Sequence, residues 1–163
     1  TGREAVSKDR SCPVFYMAGS MGCLPSLGLG FADQNKNKRI FLLDGDGALL
    51  MKMGSLATIG HYQPKNITHI VFDNQAYEST GSQKTVSENA PFYQIAKSCG
   101  YQHTCYVSNT KDFLTKFHEY KSLEGPKMIH VRVQPGTLEK LNRPEEKGTI
   151  HKQKFIRDLK NCD

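Results

Sequence analysis

Arg39-Ile40-Phe41-Leu42-Leu43-Asp44-Gly45-Asp46-Gly47-Ala48-Leu49-Leu50-Met51 reads as a strand running into a helix across a turn sharpened by two glycines. The apolar run is too short for a helix, stops at an acidic turn, and gives way to apolar residues that continue helically. An unbroken apolar centre at 40–43 is expected of a strand covered on both faces, and such strands belong to parallel sheets with helices in front and behind. The helix is expected over residues 48–59, closed by Gly60.

The same alternation extends outward in both directions. Upstream, residues 14–17 form a short apolar run ended by Gly19-Ser20-Met21-Gly22. Residues 24–32 then read as a helix with Pro25 in its first turn, and Gly28 and Gly30 suggest close packing. Downstream come a strand at 67–72, a long polar loop at 73–89, a helix at 92–99, a strand at 101–107, a helix at 110–120 and a last strand at 128–133. Five strands joined by right-handed crossovers predict an α/β three-layer sandwich with a mostly parallel central sheet. The chain reads as a single domain, residues 1–163, in which 134–163 form a polar C-terminal tail with a short helix near 152–159.

Composition agrees with a folded domain: 163 residues, 37% hydrophobic and 23% charged. No apolar run approaches the roughly 18 residues a membrane span needs. The net charge of +6 does not carry a nucleic-acid assignment. The tail's Lys140, Arg143, Lys147, Lys152, Lys154, Arg157 and Lys160 are interleaved with Glu145, Glu146 and Asp158, as on a solvated face, and no nucleic-acid-binding motif accompanies them. Five cysteines without metal-ligand spacing suggest thiols in a reducing cytoplasm. Thr1-Gly2-Arg3-Glu4 lacks an initiator Met and reads as a cut inside a longer polypeptide.

In parallel sheets, ligands sit where strands end and helices begin. That edge collects residues 19–22, 45–48 and 73–81. Glycines beside Asp46 let a ligand approach the backbone, and the helix start offers N–H groups to a phosphate. An aspartate there repels a phosphate unless a cation lies between them, and Mg²⁺ takes such mixed ligands. Alone, residues 45–48 are equally an ordinary βα turn, and Asn74 equally begins a turn. Together they suggest more. Residues 48–73 suffice for one helix and one strand, so adjacent strand ends could bring Asp46, the Asn74 amide oxygen and the Ala76 carbonyl to one cation. A phosphoacceptor module using Asp44 and Asp46 is the rival from a different class, but it leaves the 19–22 turn without a role. His61 and His69 fall away from this edge and read as structural.

Gly45-Asp46-Gly47 followed by Asn74 resembles the metal-binding motif of thiamine-diphosphate-dependent enzymes. Asp73 stands where that motif usually has a first asparagine. Tyr16-Met17-Ala18-Gly19-Ser20-Met21-Gly22, Leu43 through Met51, Asp73 through Gly81, Val131 through Gly136 and Leu141 through Pro144 resemble the phosphonopyruvate decarboxylases, and sulfopyruvate decarboxylases share much of the pattern. The resemblance implies a thiamine-diphosphate-binding fold with thiamine diphosphate and Mg²⁺ as cofactors. Asp46, Asn74 and Ala76 would hold the metal, and Gly45, Gly47 and Ala48 the diphosphate. In the Gly19-Ser20-Met21 turn, the Gly19 carbonyl would meet the aminopyrimidine and Met21 would keep the cofactor bent. The reaction implied converts 3-phosphonopyruvate to phosphonoacetaldehyde and CO₂ in phosphonate biosynthesis. Ser79, Thr80 and Lys84, with Ser82 and Gln83 beside them, are candidates for the phosphonate; Arg132 and Arg143 follow. The activating glutamate belongs to a pyrimidine-binding domain, so the chain itself offers no catalytic residue. Alone it is expected to be inactive; the full-length protein is expected to be a homo-oligomer.

Overall fold

The computed structural model describes residues 12–17, 19–136 and 148–161. Thr1-Gly2-Arg3-Glu4, Ala18, Lys140, Leu141, Arg143, Pro144, Glu145, Glu146, Lys147 and Cys162 lie outside the described residues. Two compact units result, one spanning Met21–Gly136 and the other built from the segments before and after it.

The larger unit runs α1 (Leu24–Gln34), β1 (Ile40–Gly45), α2 (Asp46–Met51), α3 (Ser55–Tyr62), β2 (Ile67–Asp73), β3 (Ala76–Tyr77), β4 (Gln83–Lys84), α4 (Phe92–Ser98), β5 (His103–Val107), α5 (Thr110–Tyr120) and β6 (Lys127–Arg132). Four strands form a parallel sheet in the order β1-β2-β6-β5, and β3 and β4 form a separate antiparallel hairpin. Register places Gly45 opposite Phe72 and Asp73 opposite Arg132, so the ends of β1, β2 and β6 are level.

Side chains alternate across the sheet and fill two layers. On one face Val71 and Met128 pack with Leu49, Leu56, Ile59, Phe92 and Ala96, while Leu42 and Ile67 meet Ala32 of α1. On the other face Ile70, Ile129 and Val131 pack with Phe113, Phe117 and Tyr120 of α5. Full burial of a side chain such as Phe92 contributes roughly 1.5–3 kcal/mol. The chain is thus an α/β protein with a parallel sheet flanked by helices.

Several expectations change. Residues 14–17 form no strand, because the Tyr16 amide donates to His151 Nε2 at 2.9 Å instead of entering a ladder. β1 is an edge strand: Phe41 and Leu43 on one face remain exposed, whereas β2, paired on both sides, is buried almost throughout. The helix expected over 48–59 breaks after Met51, where Lys52 leaves helical angles shortly before Gly54, a poor helix former. Gly60 does not close a helix. It lies inside α3, and a Cβ there would overlap the Cys99 carbonyl, while left-handed Gln63 ends the helix. Gly28 packs closely, since a Cβ would overlap Leu42, but Gly30 meets nothing. The 73–89 loop is more ordered than expected, holding the β3–β4 hairpin and a 3₁₀ turn at Ser87–Asn89.

In the smaller unit the tail helix is longer than expected, α6 (Gly148–Lys160). The Phe15 ring lies 5.5 Å from His151 and 5.4 Å from Phe155. Among the described residues no helix is long and apolar enough to cross a membrane.

Candidate functional site

Asp46 opens α2 and is buried, as is Asp73 at the end of β2. Parallel pairing of β1 with β2 puts both turns at one sheet edge. A chain of hydroxyls joins them. Thr85 Oγ1 donates to Asp46 Oδ2 at 2.6 Å, Ser87 Oγ donates to Asp73 Oδ1 at 2.8 Å, and the two hydroxyl oxygens lie 3.1 Å apart. Asp73 also accepts from the Gln75 amide at 3.0 Å and from His130 Nε2 at 3.0 Å, and Arg132 Nη1 stands 3.6 Å away. Asn74 folds into a tight turn, its Oδ1 accepting from the Ala76 amide at 3.0 Å, and Gln75 takes the left-handed conformation this requires.

The two carboxylates differ in environment. Burial, reinforced by the Asp73 charge, pushes the Asp46 carboxyl up, against the pull of Thr85 and the Gly47 amide. Burial pushes Asp73 the same way, but His130, Ser87 and the Gln75 amide outweigh it and hold Asp73 below the ordinary range. Asp73 is therefore a satisfied anion, and its divergence from the usual asparagine is explained by His130. Asp46 is the carboxylate a cation would relieve, both of its burial and of its like-charged neighbour.

The residues present fit Mg²⁺ with a diphosphate. Among the described residues no three His, Cys, Asp or Glu side chains cluster as metal ligands. One carboxylate, an amide oxygen and a main-chain carbonyl make a different, all-oxygen donor set, which suits a hard cation that shares phosphate ligands. A Cβ on Gly45 would meet no atom within 4 Å, and its φ of −114° suits any residue, so that glycine leaves a cradle the chain does not fill. Gly47 has an internal reason, for a Cβ would lie 2.6 Å from the Tyr77 ring. Gly22 (φ +85°) packs on the same turn, a Cβ there lying 2.9 Å from the Ala48 carbonyl, and so sets Met21 beside it; Met21 itself is exposed. Gly19 and Ser20 belong to the smaller unit, both in left-handed conformations with φ of +81° and +50°.

The remaining candidates lie on the hairpin. Ser79, Thr80, Ser82, Gln83 and Lys84 are exposed. Thr80 Oγ1 donates to Gln83 Oε1 at 2.9 Å, and the Lys84 ammonium pairs with Glu88 at 2.8 Å. Arg132 Nη2 donates to Gln75 Oε1 at 2.6 Å. Asp44 points into the core, 3.2 Å from His69 Nε2, whose Nδ1 lies 3.4 Å from the Tyr101 hydroxyl. Burial pushes the Tyr101 phenol far above its usual range. Lys127, the buried lysine, sits at the start of β6, away from Asp46, its ammonium donating to the Lys65, Leu123 and Gly125 carbonyls. Among the described residues a phosphoacceptor arrangement of Asp44, Asp46 and a lysine is not assembled. Thr85, Ser87 and His130 are the site residues that sequence reasoning missed; a hydroxyl in a polar loop and a histidine inside an apolar strand give no signal of their partners.

Comparisons with known proteins identify the family and the fold. Residues 5–131 match the family model described as thiamine pyrophosphate enzyme, C-terminal TPP binding domain. The chain is 35% identical over 145 residues to a phosphonopyruvate decarboxylase of Streptomyces viridochromogenes, covering 89% of this chain and 36% of that protein. It is 39% identical over 147 residues to sulfopyruvate decarboxylase subunit beta of Methanocaldococcus jannaschii, covering 90% of this chain and 77% of the subunit. The chain thus spans little more than a third of the Streptomyces relative. Among solved structures, the thiamine diphosphate-dependent 4-hydroxybenzoylformate decarboxylase of Rhodococcus jostii RHA1 superposes with a TM-score of 0.62 at 19% identity, over 71% of this chain and 24% of that one, a likeness of fold. With a parallel sheet flanked by helices and a family model matched over most of its length, the chain belongs to the thiamine pyrophosphate enzymes, in the family of their C-terminal TPP binding domain.

Proposed function

We propose that this chain binds thiamine diphosphate and Mg²⁺ as the diphosphate-anchoring half of a 2-oxo acid decarboxylase, with 3-phosphonopyruvate as substrate and phosphonoacetaldehyde and CO₂ as products. The observation that carries the proposal is the pairing of the Asp46 turn with the Asp73–Asn74 turn at the level ends of adjacent parallel strands, beside an open Gly45. Asp46, the Asn74 amide oxygen and the Ala76 carbonyl hold Mg²⁺. The backbone of Gly45, Gly47 and Ala48 receives the diphosphate, and Gly19, Ser20 and Met21 orient the organic part of the cofactor. When bound, thiamine diphosphate supplies the electron sink that decarboxylation needs.

This chain's own residues bind and orient. The base that activates the cofactor comes from a pyrimidine-binding domain, and the complete enzyme is a cytoplasmic homo-oligomer. Of the candidates for the substrate anion, Ser79 can act as it stands, whereas Thr80 and Lys84 must first exchange the partners they hold. Sulfopyruvate is the second reading, favoured by the M. jannaschii subunit, of which the chain covers 77%. Both substrates are three-carbon 2-oxo acids with a strong anion at C3. Assaying CO₂ release by the full-length protein from phosphonopyruvate, sulfopyruvate and pyruvate side by side separates them. Preference for sulfopyruvate replaces the first substrate with the second; turnover of none removes the decarboxylase assignment.

A further inference from the structure

We propose that Thr85 and Ser87 are positioning residues of the cation site, with Thr85 as the strut that fixes the Asp46 carboxylate relative to the Asn74 turn. The proposal rests on the assignment of Asp46 and Asn74 as cation ligands. Thr85 and Ser87 are each only 4% exposed, although Val86, Glu88 and residues 81–84 around them are exposed. Burying a hydroxyl is unfavourable unless it is bonded, so these two need partners, and they have them.

Each hydroxyl has one proton to give. Thr85 gives its proton to Asp46 and Ser87 gives its own to Asp73, so both carboxylates are served as anions and neither hydroxyl is left as a stranded donor. As an acceptor, Thr85 Oγ1 receives the Ser87 amide at 3.4 Å. The Thr85 backbone is tied as well. Its amide donates to the Gln75 carbonyl at 2.9 Å, one residue beyond Asn74. A single residue therefore grips the first ligand turn by its side chain and the second by its main chain.

The consequence is preorganisation. With Oδ2 of Asp46 held at 2.6 Å, rotation of the carboxylate is restrained before a cation arrives. Without the hydroxyl, the cation would have to order that carboxylate itself and bring the two turns into step. A hydrogen bond to a charged group is worth enough that its loss should weaken cation binding about 10- to 100-fold.

The test uses the full-length protein, with Mn²⁺ as a spectroscopic probe in electron paramagnetic resonance and Mg²⁺ with thiamine diphosphate in calorimetric titration. Neither readout depends on turnover. T85V should bind both probes about 10- to 100-fold more weakly, T85S should stay within a few-fold of wild type, and S87A should lose less than T85V. If T85V does not fold, T85A takes its place. Wild-type affinity in T85V, with binding abolished in D46A, overturns the strut and leaves the cation site standing. Equal weakness of T85S and T85V also overturns it, because the methyl and not the hydroxyl would then matter. Wild-type binding by D46A removes the cation assignment and the strut together.

Discussion

Replacing Gly45 by alanine separates what the fold needs from what a ligand needs. A Cβ at this position meets nothing within 4 Å, and φ of −114° with ψ of 154° is open to every residue. Alanine is poorer than glycine before a helix by about 0.5–1 kcal/mol. A stiffer unfolded chain returns about 0.4–1 kcal/mol, so G45A should melt within about 2 °C of wild type. G47A is the control in the opposite sense. Its Cβ would lie 2.6 Å from Cδ1 and Cε1 of Tyr77, and overpacking of that kind costs about 1–3 kcal/mol. Calorimetric titration with thiamine diphosphate and Mg²⁺ should show G45A, despite its intact fold, weakened about tenfold or more, because the methyl fills the space a diphosphate would occupy. Wild-type affinity in G45A refutes approach of the ligand over Gly45. A melting temperature as low as that of G47A refutes the view that the fold does not need this glycine.

Further outcomes follow from the same carboxylates. Because burial raises Asp46, protons compete with the cation at higher pH than for an exposed aspartate; as pH is lowered, Mg²⁺ affinity should reach half its plateau at a pH above the ordinary aspartate value of about 3.9, and a midpoint at or below that value contradicts this. Asp73 is depressed, so the stability it contributes is present above its unfolded pKa of about 3.9 and is lost as pH falls through its lower folded value. Urea unfolding should therefore show wild type losing stability more steeply than D73N below pH ~4, and parallel curves contradict it. H130A leaves a buried carboxylate without its ring donor and empties space against Phe92 and Tyr106, whose centroids lie 5.2 and 5.1 Å away; a loss of about 1.5–3 kcal/mol is expected, and a loss below about 0.5 kcal/mol would show the pair to be dispensable.

What could be read from the chain follows the range of each interaction. Ile67 to Phe72 announce a buried parallel strand because all but Thr68 and His69 are apolar, and the turns after Leu43 and Phe72 sit together because neighbouring parallel strands end at one edge. Phe41 and Leu43 look identical to such a run, yet they lie on an edge strand, and strand order is set by partners far along the chain. Thr85 and Ser87 were hidden among Ser79, Thr80 and Ser82, chemically the same. What singles them out is the hairpin, which carries Thr85 back to the Gln75 carbonyl. The net charge was legible as a number but not as a place. Besides the tail, Lys36, Lys38, Arg39, Lys65, Lys121 and Lys127 line a cleft at the starts of the strands, with Glu124 as its acidic member, far from Asp46 in every strand's direction.

The Asp73–His130 contact couples the chemistry of two positions 57 residues apart. A carboxylate at 73 is favoured by a donor at 130, beside those it has in Ser87 and the Gln75 amide. An asparagine at 73, as in the usual motif, brings its own donor and no charge, and so releases 130 from that duty. Changing one position alone gives a mismatch: a buried anion that keeps Ser87 and the Gln75 amide but has lost its imidazole donor, or an imidazole facing an amide. Related sequences should accordingly show the two sites changing in step, with Asp at 73 absent wherever 130 cannot donate, and a pair that varies independently would break that linkage.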